Sequence, residues 1–158
     1  MLGRSRSPFA SVVDAALDEA RRRGNRRLGT EHLLLGLLRA PESPAARAFG
    51  VDLGTARSGL DLLDREALAS IGIRVGDILD PEFAPHRHPA VRVSAVTSTA
   101  RATLGKAVRG TTVRTRHVAP ARLLTALLDS AAPDPVADLI RVLGVDRDAV
   151  RRRLEASG

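Results

Sequence analysis

Apolar residues recur at three- and four-residue spacing in several stretches of the chain, which is the pattern of amphipathic helices. The densest stretch is residues 29–39, Gly-Thr-Glu-His-Leu-Leu-Leu-Gly-Leu-Leu-Arg. Leucine covers almost the whole circumference there, so we predict a helix enclosed by other helices. Thr30 is predicted as its N-cap, because its hydroxyl can accept a hydrogen bond from the first turn. Gly36 costs about 1 kcal/mol against alanine inside a helix, so we expect a neighbouring backbone close to it.

The same order of helices is predicted twice along the chain. In residues 8–70 an amphipathic helix precedes the leucine-rich helix, and a short and then a longer helix follow. Residues 93–156 repeat this order, and residues 118–129 keep the Leu-Leu-x-x-Leu-Leu spacing. We therefore predict an all-α fold in which two pseudo-twofold four-helix repeats pack into one module over residues 1–158. Residues 71–92, rich in proline and glycine, are predicted to link the repeats.

Composition excludes some classes of protein. Of the 158 residues, 44% are apolar, and there are three Phe and no Trp, Tyr or Cys. Without cysteine neither disulfides nor thiolate metal sites can form, and a reducing compartment is the simplest setting. No stretch approaches the roughly 20 apolar residues of a membrane span, and no apolar signal core follows the basic N-terminus. We therefore predict a soluble, cytoplasmic protein.

The net charge of +7 makes nucleic-acid binding the main rival hypothesis. Arginine clusters occur at residues 21–27, 114–116 and 151–153. Against this hypothesis, there are almost no aromatic residues for base stacking and no recognition-helix motif. We predict that nucleic acid is not the partner.

No constellation of residues points to catalysis or to a cofactor. His86 and His88, with Asp80 or Glu82 nearby, could in principle bind a metal, but their proline-rich surroundings favour a solvated linker. His32 beside Glu31 is interpreted as packing or capping, because no nucleophile or further acid completes a catalytic set. We predict a protein that is not an enzyme and needs no cofactor.

Residues 29–39 closely resemble the signature of the Clp N-domain, the double repeat at the front of ClpA/ClpC-type AAA+ unfoldases. The resemblance extends to the repeated helices and to the Gly-Val-Asp turns at residues 50–52 and 144–146. It implies an all-helical domain without catalytic activity that docks adaptors and substrates for the unfoldase and its ClpP protease. In ClpC-type members each repeat also carries a pocket for phosphorylated arginine.

By this resemblance, the pocket sets the signature glutamate against the guanidinium and a threonine at the start of the repeat's first helix near the phosphate. Repeat one has the acid as Glu31, next to Thr30, but residues 5–7, Ser-Arg-Ser, replace the Phe-Thr opening. Repeat two has the opening as Val96-Thr97, but Ala121 falls at the acid position. Each pocket has thus lost a different half. We predict Glu31, Thr30 and Thr97 as binding residues, with the pocket of repeat one the better candidate.

The predicted function is that of a peptide- and adaptor-binding protein in regulated proteolysis, with weak recognition of phosphoarginine as a further expectation. No phosphate-loop motif occurs, so ATP hydrolysis by that mechanism is not expected. We interpret the chain as either an excised N-domain or a free-standing paralogue. A third hypothesis is a decoy that sequesters adaptors or toxic ligands aimed at the unfoldase.

Overall fold

The structure, a computed structural model, describes residues 6–73 and 93–158. The prediction of an all-α fold is confirmed, because the described residues form eight α-helices and a minimal sheet. The first four helices are α1 Pro8–Arg22, α2 Thr30–Leu38, α3 Pro44–Phe49 and α4 Leu53–Ser70. The last four are α5 Ser98–Val108, α6 Ala119–Leu128, α7 Pro135–Val142 and α8 Arg147–Ala156. A 3₁₀ turn, Arg116–Val118, precedes α6.

Two short strands, absent from the sequence prediction, connect the halves of the molecule. Strand β1 (Arg27–Leu28) pairs in parallel with β2 (Ala95–Val96). Each strand directly precedes a helix, β1 leading into α2 and β2 into α5. The sheet therefore brings the start of α2 beside the start of α5.

Helix packing follows a pseudo-twofold pattern. Helix α1 packs on α2 as α5 packs on α6, and α3 packs on α8 as α7 packs on α4. Likewise, α1 touches α6 and α5 touches α2. Every one of these pairs is preserved when the first four helices are exchanged with the last four. The parallel strand pair fits the same symmetry, because a twofold rotation about an axis along the strands keeps their direction.

Helix α2 lies at the centre of the core, as its leucines predicted. All its residues except Glu31 are buried. Gly36 confirms the expected close approach, because a Cβ built on it would lie 2.6 Å from the carbonyl oxygen of Val12 in α1. The helix is thus held between α1 and the second half of the chain.

The start of α2 differs from the prediction. Its N-cap is Gly29 rather than Thr30, which is the first helical residue. The N–H of Gly29 donates to Nδ1 of His32 at 3.0 Å, so an imidazole inside the first turn satisfies the cap. This assigns His32 the capping role that was one of its two interpretations, and it leaves the hydroxyl of Thr30 for another partner.

Candidate functional site

The predicted binding residues meet around an open cleft of about 480 Å³ between the two halves of the molecule. We call it the polar cleft. One wall is a face of α5, and the other is the turn from α6 into α7. Hydroxyl and charged side chains contribute much of its lining: Thr99, Thr103, Lys106, Ser130 and Asp134.

Thr30 reaches this cleft through Asp134. The Asp134 side chain caps α7 by accepting from the N–H of Val136 at 3.1 Å. The Thr30 hydroxyl donates to the same carboxylate oxygen across the two repeats. Because Thr30 is buried, its hydroxyl orients the cleft wall and is not itself exposed to a ligand.

Glu31 is a carboxylate held largely out of water at the start of α2. Its side chain is 13% exposed, and its Oε2 atom is buried without a hydrogen-bond partner among the described residues. The side chain folds back over Gly29, because a Cβ built there would lie 2.7 Å from Cδ of Glu31. Burial raises the pKa of Glu31, and the nearby Asp134 carboxylate raises it further against the opposing Arg23 guanidinium. The result is an acid poised to accept a cation.

Thr97 lies at the same end of the molecule as the start of α2. Its N–H donates to the carbonyl of Leu28 at 3.0 Å, two residues before Thr30. Its hydroxyl caps α5 by accepting from the N–H of Ala100 at 3.2 Å and lies 3.4 Å from the hydroxyl of Thr99 in the polar cleft. The sequence interpretation paired each acid with the threonine of its own repeat. The structure instead brings Glu31 of repeat one to the start of the first helix of repeat two.

A second cavity, of about 240 Å³, occupies the pseudo-equivalent place in the other half. We call it the apolar cleft. The start of α1 meets the start of α6 there, as Pro8 and Pro120 both line it. Most of its other lining residues are apolar or small: Val12, Ala15, Gly36, Leu37 and Ala40. The Ser-Arg-Ser opening and the Ala121 position of the sequence analysis therefore belong to this second cleft.

His32 is not an acid or base of the site. The residue is 1% exposed, and its Nε2 atom is buried without a partner among the described residues. Burial, reinforced by the Arg23 guanidinium, lowers the pKa of His32 to about 4. The ring is therefore neutral at physiological pH and serves the cap described above.

The basic clusters of the sequence do not converge on one face. The first lies at and beyond the C-terminal end of α1, whereas the 3₁₀ turn of the second precedes α6, whose start meets the N-terminal end of α1. These ends are about 20 Å apart, as expected for a 15-residue helix. Several of the arginines are engaged internally, such as Arg23 with Asp61 at 2.8 Å and Arg151 with Asp129 at 2.8 Å. This arrangement provides no continuous basic surface for a nucleic acid.

Two other functional classes were checked against the structure. Over residues 6–73 and 93–158, no helix is long and apolar enough to cross a membrane. The same residues hold no cluster of three potential metal ligands from His, Cys, Asp and Glu. His86 and His88, weighed in the sequence as a metal site, lie outside the described residues.

Comparison with known proteins confirms the predicted resemblance for the first half of the chain. Residues 7–77 match the family model of the Clp repeat (R) N-terminal domain. The chain is 40% identical over 68 residues to "Chaperone protein ClpC1, chloroplastic" of Oryza sativa subsp. japonica. It is 49% identical over 49 residues to "Negative regulator of genetic competence ClpC/MecB" of Bacillus subtilis. It is 51% identical over 49 residues to "Chaperone protein ClpB" of Oceanobacillus iheyensis.

These matches are partial. They cover 41% of this chain and 7% of the rice protein, and 29% of this chain and 6% of each bacterial protein. Residues 7–77 are thus related to Clp proteins and imply a role in a Clp system. The assignment of residues 93–156 as a second Clp repeat stays a prediction, supported by the reciprocal packing of α5–α8.

Proposed function

We propose that this protein is a non-catalytic module that binds peptides or adaptor proteins in regulated proteolysis by a Clp unfoldase and its protease. The observation that carries the proposal is the buried Glu31 carboxylate, with one oxygen unpartnered, next to a cleft between the repeats. A core without a ligand-binding role gains nothing from such a group, because an unpaired buried polar atom costs about 1–3 kcal/mol.

The ligand group that suits Glu31 best is a guanidinium. Its planar N–H donors can pair with both oxygens of a carboxylate, which would satisfy the orphaned Oε2 atom. The neighbouring Asp134 carboxylate strengthens the preference for a cation, since it already raises the pKa of Glu31. We therefore infer that an arginine side chain of the bound peptide enters at this end of the polar cleft.

Phosphorylated arginine is the proposed form of that side chain. Thr97 and Thr99 stand at the start of α5, where free backbone N–H groups favour an anion. A phosphate attached to the guanidinium would lie toward these groups while the guanidinium faces Glu31. Thr97 thus keeps its proposed binding role, whereas Thr30 supports the site through Asp134.

Calorimetric titration with a phosphoarginine peptide tests this proposal. Glu31→Gln removes the charge and keeps the shape, so we expect binding to weaken roughly tenfold or more, the value of a charge-assisted hydrogen bond. Glu66→Gln makes the same change at an exposed position of α4 and should leave the affinity unchanged. Equal affinity for the wild type and Glu31→Gln would contradict the role of Glu31.

The decoy hypothesis concerns the same binding surface and differs only in its consequence. A decoy added to a reconstituted Clp unfoldase and protease with its adaptor would slow degradation of the adaptor's substrate. A productive partner would leave degradation unchanged or accelerate it. Using Glu31→Gln beside the wild type in this assay shows whether either effect passes through the proposed site.

A further inference from the structure

The single lysine of the chain, Lys106, lines the polar cleft on the wall supplied by α5. It makes no ion pair with any described residue, whereas many of the arginines do. Asp134 lines the same cleft but forms no ion pair with Lys106 within the described part of the chain. The cleft therefore has a separate positive wall and a separate negative wall.

The apolar cleft provides an internal comparison for this wall. The first helix of each repeat contributes four lining residues at the same spacing, i, i+3, i+4 and i+7: Pro8, Ser11, Val12 and Ala15 in α1, and Thr99, Ala102, Thr103 and Lys106 in α5. In both clefts the N-cap of the third helix also takes part, as Ser43 or Asp134. The two walls are thus equivalent in position.

Their chemistry differs. Where α1 has Pro8, Val12 and Ala15, helix α5 has Thr99, Thr103 and Lys106. The apolar copy shows that the helix pair packs well without hydroxyls or a charge at these positions. Packing therefore does not account for the polar residues of α5, and a polar ligand does.

The hydroxyls on this wall are suitable for accepting and donating hydrogen bonds. The Thr103 hydroxyl donates to the carbonyl of Thr99 at 2.8 Å, so its oxygen is held in a fixed position with lone pairs to spare. Lys106 is one helical turn further along the same face, where its ammonium group can reach an anion that contacts these hydroxyls. An ammonium group flanked by hydroxyls is a common arrangement for binding phosphate.

We propose that Lys106 is the specificity-determining residue of the polar cleft, holding the anionic group of a ligand whose cationic group faces Glu31 and Asp134. This rests on the proposed function for the identity of the peptide, but the anion site itself can be tested separately. The ligand class is a peptide side chain that carries phosphate and guanidinium together, and unmodified arginine lacks the group that Lys106 holds.

The single lysine permits a direct test. Reductive methylation with ¹³C-formaldehyde labels Lys106 and the terminal amine, keeps the positive charge, and gives one side-chain NMR signal for the cleft. Inorganic phosphate, added at ionic strength held constant with chloride, should shift that signal in a saturable way. An unshifted signal would overturn the proposal.

Calorimetry on two variants completes the test. Lys106→Met should weaken binding of the phosphoarginine peptide roughly tenfold and that of the unmodified arginine peptide by less than about twofold. Arg109→Met removes the same charge from an exposed position at the end of α5, outside the cleft, and should change either affinity by less than about twofold.

The outcomes separate this inference from the proposed function. An equal loss in Lys106→Met and Arg109→Met would show an effect of net charge and overturn the role of Lys106. If Glu31→Gln abolishes peptide binding while Lys106→Met does not change it, the inference fails and the proposed function stands. If phosphate shifts the Lys106 signal but neither peptide binds, the proposed function fails and the anion site stands.

Discussion

Replacing Gly36 by alanine should destabilise the protein, although alanine is the better helix former. A Cβ at this position would lie 2.6 Å from the carbonyl oxygen of Val12 and 2.9 Å from both N and Cβ of Ala16. Carbon–oxygen contacts between packed backbones lie at about 3.3 Å or more, so α1 would have to move away by about 0.7 Å. Because the obstructing atoms are mostly backbone, no side-chain rotation can relieve the clash.

The expected magnitude follows from two opposing terms. Overpacking of a tight core costs about 1–3 kcal/mol, and a clash with backbone places Gly36→Ala at the upper end, about 3 kcal/mol. The helix propensity of alanine returns about 1 kcal/mol. The net loss is therefore about 2 kcal/mol, which corresponds to a fall in Tm of about 4–8 °C for a chain of this size.

Gly105 in α5 is the matched control. A Cβ built on it meets no heavy atom within 4 Å, so only the propensity term applies. Gly105→Ala should raise the free energy of unfolding by about 0.5–1 kcal/mol. Thermal and urea unfolding followed by far-UV circular dichroism measure both variants. If Gly36→Ala is as stable as the wild type, or if both variants shift in the same direction, α1 does not cross α2 as described.

Three further variants test other parts of the structure. Wild-type stability should fall by up to about 3 kcal/mol as pH drops from about 6.5 to about 4, because the unfolded chain protonates His32 in that range and the folded protein does not. His32→Asn should flatten this dependence in urea titrations at a series of pH values, and an unchanged slope would refute the assignment. Arg57→Met should cost about 2 kcal/mol, less than the roughly 3–5 kcal/mol of a fully buried pair, since it strips the buried Glu19 of a partner that is itself 36% exposed. A cost below about 0.5 kcal/mol, the size of an exposed pair, would contradict this. Gly29→Ala should push the Glu31 carboxylate off its folded position and weaken binding of the phosphoarginine peptide while changing stability by less than about 1 kcal/mol, and unaltered affinity would argue against that position.

The helices could be predicted because their signals are local. Three-residue periodicity, proline after a serine cap at Pro44, and glycine at helix ends lie within a few residues of each other along the chain. The two strands could not be predicted, since a two-residue strand has no periodicity to detect. The cap at Thr30 was wrong because the imidazole of His32, three residues further on, takes the N–H of Gly29 instead.

The site was harder to predict than the fold, because its parts come from distant segments. Glu31 and Thr97 were found through resemblance, but their proximity depends on the pairing of β1 with β2. Lys106 carries no signal in the sequence beyond its charge. Asp134 could have been found, since an aspartate before a proline predicts a helix start just as Ser43 does, but its bond to Thr30 depends on tertiary packing.

The pairing of segments across the pseudo-twofold axis changes what the sequence differences between the repeats mean. If each pocket took both halves from one repeat, the replacement at Ala121 and the altered opening before α1 would damage one pocket each. In the structure the start of α6 meets the start of α1, so both changes fall on the apolar cleft. Glu31 and Thr97, the two retained halves, fall at the polar cleft, where Lys106 also lies. The chain has therefore concentrated its polar chemistry in one cleft and filled the equivalent positions of the other with apolar side chains, which is the pattern expected when a symmetric fold keeps a single ligand site.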